Sequence, residues 1–507
     1  MLKLFEASRR VSVPIACVRT ADQFATMQML AVEQEKYPLV KWDAANGLTF
    51  VNAAGKALLA KKVEANGFDE ALIAAQGFPQ GPVLFVFNAH RQLHSSEPSS
   101  TAAAVQAVAN LRDPYKVSFR MVVLLGPMGW TVPQELGQDV VTLTHNLPSK
   151  SELRVVIESL EKDAKKAMPT IPALDEAGLQ RASDAVTGLS LFAAEQEVAL
   201  SYGPSGLDQD VLLERKRVII DQVRGCSVYR GTETFDDLKG LDSVKAKLRA
   251  RIKAKTPIGV VVWIDEGADV FVNVEHDTSG VKTDQQRLLL VEMENNGWKG
   301  AILTGVPGSG KSALARAFGN EAGVLTIALD FGDMEGPHVG ESEMMARTAI
   351  ETIKAVGGGN AFFLLTCNSL QGIRPQFMRR FKKGVYFFDK PTQAECEPIW
   401  AYYEQKYALP QQPRPNYTGW TGAEIRECCE EAWDTGCSLV DASTSIIPVT
   451  LSRADVIDEM RKGAHGRFLD ASKGGTYHYE EESMKPMLRA ISIPPAVAVA
   501  MAEMKES

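Results

Sequence analysis

The residues best equipped for chemistry are Gly305, Val306, Pro307, Gly308, Ser309, Gly310, Lys311 and Ser312, spaced as G-x-x-x-x-G-K-S. That spacing suits the phosphates of a nucleotide. Glycines permit a bend that turns several backbone N–H groups inward, and the start of the next helix adds its positive dipole end. Lys311 would reach the β and γ phosphates of ATP, and Ser312 would ligate Mg2+. The alternative is a glycine turn that merely precedes a helix. The flanks argue against it, because AILTG reads as a buried strand and SALARAFGNEAG as a helix, the context that a phosphate loop needs.

Two further apolar strands end in polar residues. VVVWIDE places Asp265 and Glu266 at a strand's C-terminal end, where ligands of parallel sheets collect. Asp265 would hold Mg2+, and Glu266 would orient and polarise an attacking water. AFFLLTCN ends at Asn368, whose amide would contact that water or the γ-phosphate. RPQFMRRF follows, with Arg379 and Arg380 suited to stabilising charge on a neighbouring subunit's ATP. Each has a plainer reading: a strand leaving into a solvated turn, an amide closing a turn, arginines as surface charge. Beside the phosphate loop the catalytic readings gain weight.

These groups need a sheet to hold them. Residues 1–149 alternate short β-branched runs (VPIACVRT, YPLVKWDA, GPVLFVFNA, FRMVVLLGP, DVVTLTHNLP) with helical stretches, the pattern of a parallel α/β sheet covered on both faces. Residues 150–225 are patterned as helices throughout. After a charged linker at 226–257 the order repeats, with an α/β core at 258–392, a helical lid at 393–472 and a loosely ordered tail at 473–507. The predicted fold is therefore α/β, a P-loop sheet with a helical lid, preceded by a second α/β domain and helical subdomain without a phosphate loop.

With these motifs in place, residues from about Phe235 to Asp470 resemble the AAA family of ATPases, through GVPGSGKSALARAFGNEAG, VGESE at Val339, WIDE at Trp263, TCNS at Thr366, MRRF at Met378 and TGAEIRECCEEA at Thr421. Within it the chain is similar to uncharacterised ATPases of cyanobacteria, chloroplasts and some phages whose N-terminal half lacks a phosphate loop; WDAANG at Trp42 and VPQEL at Val132 resemble features of that half. The resemblance implies ATP and Mg2+ as ligands, a homo-oligomeric ring, often of six subunits, that works on macromolecules, and Gly422 and Ala423 of the lid against the nucleotide. The chain departs from the family in four places, the first being MRRFKKG, which lacks the usual Pro-Gly or similar insert between Arg379 and Arg380 and leaves open which of the two is the finger. His338 stands where a pore aromatic is usual. Asn88 in VLFVFNA stands where an acidic residue would serve, so the N-terminal half is expected not to hydrolyse ATP. The acidic strand precedes the phosphate loop instead of following it. Only one helix fits between VGESE and AFFLLTCN, so no second acidic strand does. A permuted core is expected, with VVVWIDE in the family's usual place beyond AFFLLTCN, the sensor strand, and Asp265 beside Ser312, a rewiring that right-handed crossovers allow.

Composition narrows the field. With 507 residues, 45% hydrophobic and 23% charged, the chain is ordinary globular protein of several domains. A net charge of -8 does not indicate a nucleic-acid coat, although it leaves room for a local basic patch. The seven cysteines are scattered without a CxxC pair, as in a reducing compartment. No apolar run is long enough to span a membrane and the N-terminus does not read as a signal peptide, so a cytoplasmic protein is expected. The basic run from Lys245 to Lys255 reads as a solvated helix, and Tyr402 and Tyr403 as lid packing. The leading expectation is an ATPase that remodels or assembles a protein client. The alternatives are a nucleic-acid-associated ATPase, such as a helicase loader or replication accessory, and a slow nucleotide-gated scaffold.

Overall fold

The apolar runs of the N-terminal region form a six-stranded sheet: β1 (Ile15–Thr20), β2 (Leu39–Asp43), β3 (Gly47–Phe50), β4 (Val83–Val86), β5 (Met121–Gly126) and β6 (Val140–His145), in the order β3-β2-β4-β5-β1-β6. The computed structural model describes residues 1–59, 65, 67–93, 98–266, 281–334, 341–368 and 378–479. Successive residues of β1 enter different cores, Ile15 and Cys17 one, Ala16 and Val18 the other. A strand buried on both faces has no polar alternation, which is why these segments read as continuous apolar runs. The unexpected strand is β3, antiparallel to β2. Its cause is local: the Asp43 carboxylate accepts from the backbone N–H groups of Ala45 and Asn46 (3.1 and 2.8 Å), and Gly47 takes φ 64°, so WDAANG closes a hairpin. Helices Lys150–Ala167, Glu176–Val186, Leu191–Leu200 and Gln209–Asp221 follow, sharing one core. A small hairpin, β7 (Tyr202–Gly203) with β8 (Gly206–Leu207), interrupts the helices.

The second sheet has seven strands: β9 (Cys226–Val228), β10 (Val260–Ile264), β11 (Lys299–Gly305), β12 (Thr326–Leu329), β13 (Ala361–Cys367), β14 (Val385–Phe388) and β15 (Leu469–Asp470). Their order is β15-β14-β11-β13-β10-β12-β9, parallel except for β9. Three expected boundaries shift. The linker 226–257 is part of the core: β9 caps the sheet edge, and helix Asp242–Ile252 buries Val244 and Leu248 against it. With Leu241 these residues form a helical apolar stripe inside a charged run. The same helix corrects the solvated reading of the basic run at two positions, while Lys247, Lys253 and Lys255 are exposed as expected. Lys245 and Arg251 are buried, Lys245 donating to the Leu238 carbonyl and Arg251 to the Thr256 carbonyl at 2.7 Å. At the other end, the chain leaves the lid at helix Ala454–Ala464 to supply β15. Tyr477, in the expected tail, is buried against Phe387 (ring centroids 4.4 Å apart) and donates to Asp389 at 2.5 Å. All seven cysteines are unbridged.

The two sheets share one plan. Placed side by side, β6-β1-β5-β4-β2-β3 and β14-β11-β13-β10-β12-β9 correspond strand for strand, each ending in an antiparallel edge strand. In the first sheet the parallel strands occur along the chain in the order β1, β2, β4, β5, β6. In the second, β10 takes the place of β4 yet comes ahead of β11. The backbone agrees in detail: Asn88 and Glu266 each lie two residues past the end of β4 and β10, and both adopt left-handed φ, 51° and 46°.

Candidate active site

The loop after β11 is held open by its glycines. Gly305 has φ 133°, and a Cβ there would lie 2.2 Å from the Phe388 carbonyl oxygen; Gly308 has φ 77°, and its Cβ would meet the Thr421 hydroxyl at 2.6 Å. Neither position accepts a side chain without displacing sheet or lid. Gly310, at φ 94°, leads into helix Lys311–Ala322. Lys311 is buried and donates to the carbonyls of Gly305 (3.0 Å) and Val306 (2.8 Å), while the Ser309 hydroxyl donates to Val306 O at 2.7 Å. Burial pulls the Lys311 ammonium down to about 8, against the opposing influence of Cys367 and Asp265. Anionic oxygens entering the loop would stabilise its charged form.

Strand order brings the acidic residues to this loop. With β13 between β11 and β10, the Ser312 hydroxyl donates to Asp265 Oδ1 at 2.9 Å. One hydroxyl and one carboxylate oxygen are hard donors of the kind that Mg2+ takes alongside phosphate and water. Glu266 and Asn368 are exposed at the ends of the two neighbouring strands and line the same cleft, of about 360 Å³. Pro307 lines it too, and from the lid so do Gly422 and Ala423, the Ala423 N–H donating to Gly308 O at 3.2 Å. Arg379 and Arg380 are not among its lining residues. Arg380 pairs with Glu294 at 2.5 Å, and Arg379 is exposed. His338 lies outside the described residues.

Several lining residues went unforeseen. The strap Asp237–Leu241 and lid residues Tyr402, Tyr403 and Arg426 border the cleft. Tyr402 and Tyr403 are therefore more than packing: Tyr402 donates to Asp237 at 3.3 Å, and Lys239 Nζ lies 5.2 Å from its ring centroid. They share a helix face with Ile399 at i, i+3 and i+4, a stripe visible in the sequence, although what it faces is set only by the fold of the lid.

The corresponding corner of the first sheet is filled. Only Ala21 and Asp22 separate β1 from helix Gln23–Glu33, and the Asp22 carboxylate caps that helix by accepting from Ala25 N at 2.9 Å. Gln23 and Asn88 exchange two hydrogen bonds, 3.0 and 2.8 Å, across the gap. A carboxylate at the helix start already takes the place and the dipole that a phosphate would use.

A strand, a glycine loop carrying lysine and serine, and a helix over a parallel sheet are the parts of a P-loop ATPase domain. Residues 301–358, from β11 through helix Glu341–Val356, match the model of the ATPase family associated with various cellular activities (AAA). The chain thus carries an AAA domain of α/β fold, and β10 lies N-terminal to the matched stretch. Among relatives, the uncharacterized AAA domain-containing protein ycf46 of Guillardia theta is 22% identical over 399 residues, 66% of this chain and 71% of that protein. Its namesake from Trieres chinensis is 24% identical over 245 residues, 48% of this chain and 42% of the relative. Cell division control protein 48 homolog B of Arabidopsis thaliana is 24% identical over 198 residues, 38% of this chain and 28% of that protein. No helix among the described residues is long and apolar enough to cross a membrane.

Proposed function

We propose that this chain hydrolyses ATP at the cleft between β11, β10 and the lid, and uses the cycle to remodel or assemble a macromolecular partner. The observation that carries the proposal is the meeting of Lys311, Ser312, Asp265, Glu266 and Asn368 around one cleft, although Asp265 and Glu266 come from a strand ahead of the loop. Backbone N–H groups of Gly305–Ser312 and the Lys311 ammonium bind the β and γ phosphates, with Gly422 and Ala423 closing over the nucleotide. Ser312 and Asp265 would hold Mg2+, which supplies charge neutralisation at the phosphate oxygens. Glu266 takes a proton from the water as its oxygen attacks the γ-phosphorus, Asn368 orients that water, and the bond to the β-bridging oxygen breaks to leave ADP and phosphate.

AAA proteins commonly act as oligomeric rings, and a ring is the arrangement in which an arginine completes a neighbour's site. Arg380 is committed to Glu294 within its own subunit, which leaves Arg379 for that role. The expected result is that Arg379→Ala lowers turnover on the order of 10^3-fold with ATP binding intact, whereas Arg380→Ala lowers it less. Steady-state turnover beside equilibrium nucleotide binding checks this, and equal effects from the two variants would remove the distinction. A protein client is favoured over nucleic acid because half of the basic run spends its charge internally, Arg249 pairing with Asp236 (2.8 Å) and Glu321 (2.6 Å) and Lys245 and Arg251 being buried, which leaves Lys247, Lys253 and Lys255 exposed. Turnover stimulated by DNA or RNA with a steep salt dependence would reverse that preference.

The test of the site as a whole is stoichiometry. One nucleotide should bind per chain, because the first sheet's corner is occupied by Asp22, Gln23 and Asn88. Titration of the full chain with Mg·ADP should saturate at one equivalent. A second equivalent of similar affinity would show that the first half also binds.

A further inference from the structure

We propose that Trp263 and Thr366 are positioning residues that set the Asp265 carboxylate for Mg2+, an inference that rests on the metal site proposed above. Trp263 is in β10 and Thr366 in β13, neighbouring strands whose register pairs Trp263 with Leu364. The Trp263 indole Nε1 donates to the Thr366 hydroxyl at 3.3 Å, and that hydroxyl donates to Asp265 Oδ1, the oxygen that also receives the Ser312 hydroxyl at 2.9 Å. A hydroxyl has one proton and two lone pairs. With a lone pair taken by the indole N–H, the proton turns toward the carboxylate, while the other acceptor within reach, the Ile264 carbonyl, is farther away at 3.4 Å. Thr366 is 1% exposed, so its hydroxyl is held between the indole and the carboxylate.

The indole is itself held. Arg316, on the helix that follows the phosphate loop, lies 5.5 Å from the Trp263 ring centroid and 5.5 Å from that of Tyr229, whose hydroxyl donates to Glu233. The loop helix, the acidic strand and the strand of Thr366 are thereby tied through one ring, and the carboxylate is held by Thr366 and Trp263 in addition to the Ser312 hydroxyl. Outer-shell hydrogen bonds of this kind are commonly worth 10–100-fold in metal affinity.

The experiment compares ADP affinity with Mg2+ and with EDTA, using the full chain. In the wild type Mg2+ should tighten ADP binding. Thr366→Val should lose about tenfold of that tightening while its affinity in EDTA stays at the wild-type value, and Thr366→Ser should restore it. Indole emission gives a second readout: the part that Trp263→Phe removes should respond to Mg2+ in the wild type and not in Thr366→Val. Full Mg2+ tightening in Thr366→Val, no recovery in Thr366→Ser, or an equal loss in EDTA would overturn the positioning role. An absence of Mg2+ tightening in the wild type would instead overturn the metal site.

Discussion

Glu266→Gln is expected to bind ATP as the wild type does and to hydrolyse it at least about 100-fold more slowly, the scale of a positioned general base. The substitution keeps the size of the side chain and its ability to accept a hydrogen bond, but the amide cannot take the proton of the attacking water. Glu266 is held at φ 46°, a conformation uncommon for a residue with a long side chain and kept at some cost in backbone energy. That cost is understandable if the turn serves to aim the carboxylate into the cleft. Single-turnover hydrolysis measured beside nucleotide binding separates the two effects, and unchanged turnover would remove Glu266 from the reaction. The same variant, stalled with ATP, is the bait of choice for capturing the client.

Lys311→Ala is expected to abolish nucleotide binding in the micromolar range. The lysine is the one cation inside the loop, and its ammonium donates to the Gly305 and Val306 carbonyls. Its loss removes both the partner of the phosphates and the donor that satisfies two buried acceptors, so a lower melting temperature should accompany the binding defect. Lys311→Arg distinguishes the two effects: it keeps a donor for the carbonyls and restores stability, yet its planar fork does not replace the ammonium between phosphates. Wild-type affinity in Lys311→Ala would mean that nucleotide binds elsewhere.

What could be read in advance was whatever is written locally. The phosphate loop is one contiguous segment with its strand and helix attached, and the position of the acidic strand follows from counting the elements that fit between β12 and β13. The hairpin strand β3 and the edge strands β9 and β15 were not legible. Each has only two to four residues; β9 and β15 owe their existence to pairing partners far along the chain, and β3 to the tight turn that Asp43 and Gly47 close after β2. The same holds for Thr366 and Arg426. A threonine in an apolar strand and an arginine in a lid helix have many uses, and only the register of β10 against β13, or the docking of the lid, selects one. The basic run misled for a different reason: charge spacing shows where the ammonium and guanidinium groups can go, but apolar stems allow Lys245 and Arg251 to be buried along their length.

The early position of β10 in the chain bears on how this protein is made. In the first half, β4 emerges from the ribosome after its neighbour β2 and shortly before β5. In the second half, β10 emerges before either neighbour exists, since Val262 pairs with Ile327 on one side and Phe363 on the other. An apolar strand must therefore wait unpaired during synthesis, a condition that slows folding and exposes the chain to aggregation. Nascent chains arrested ahead of β12 should be cleaved by protease within VVVWI, and those extended beyond β13 should be protected there, so that this domain acquires its resistance late and in a single step.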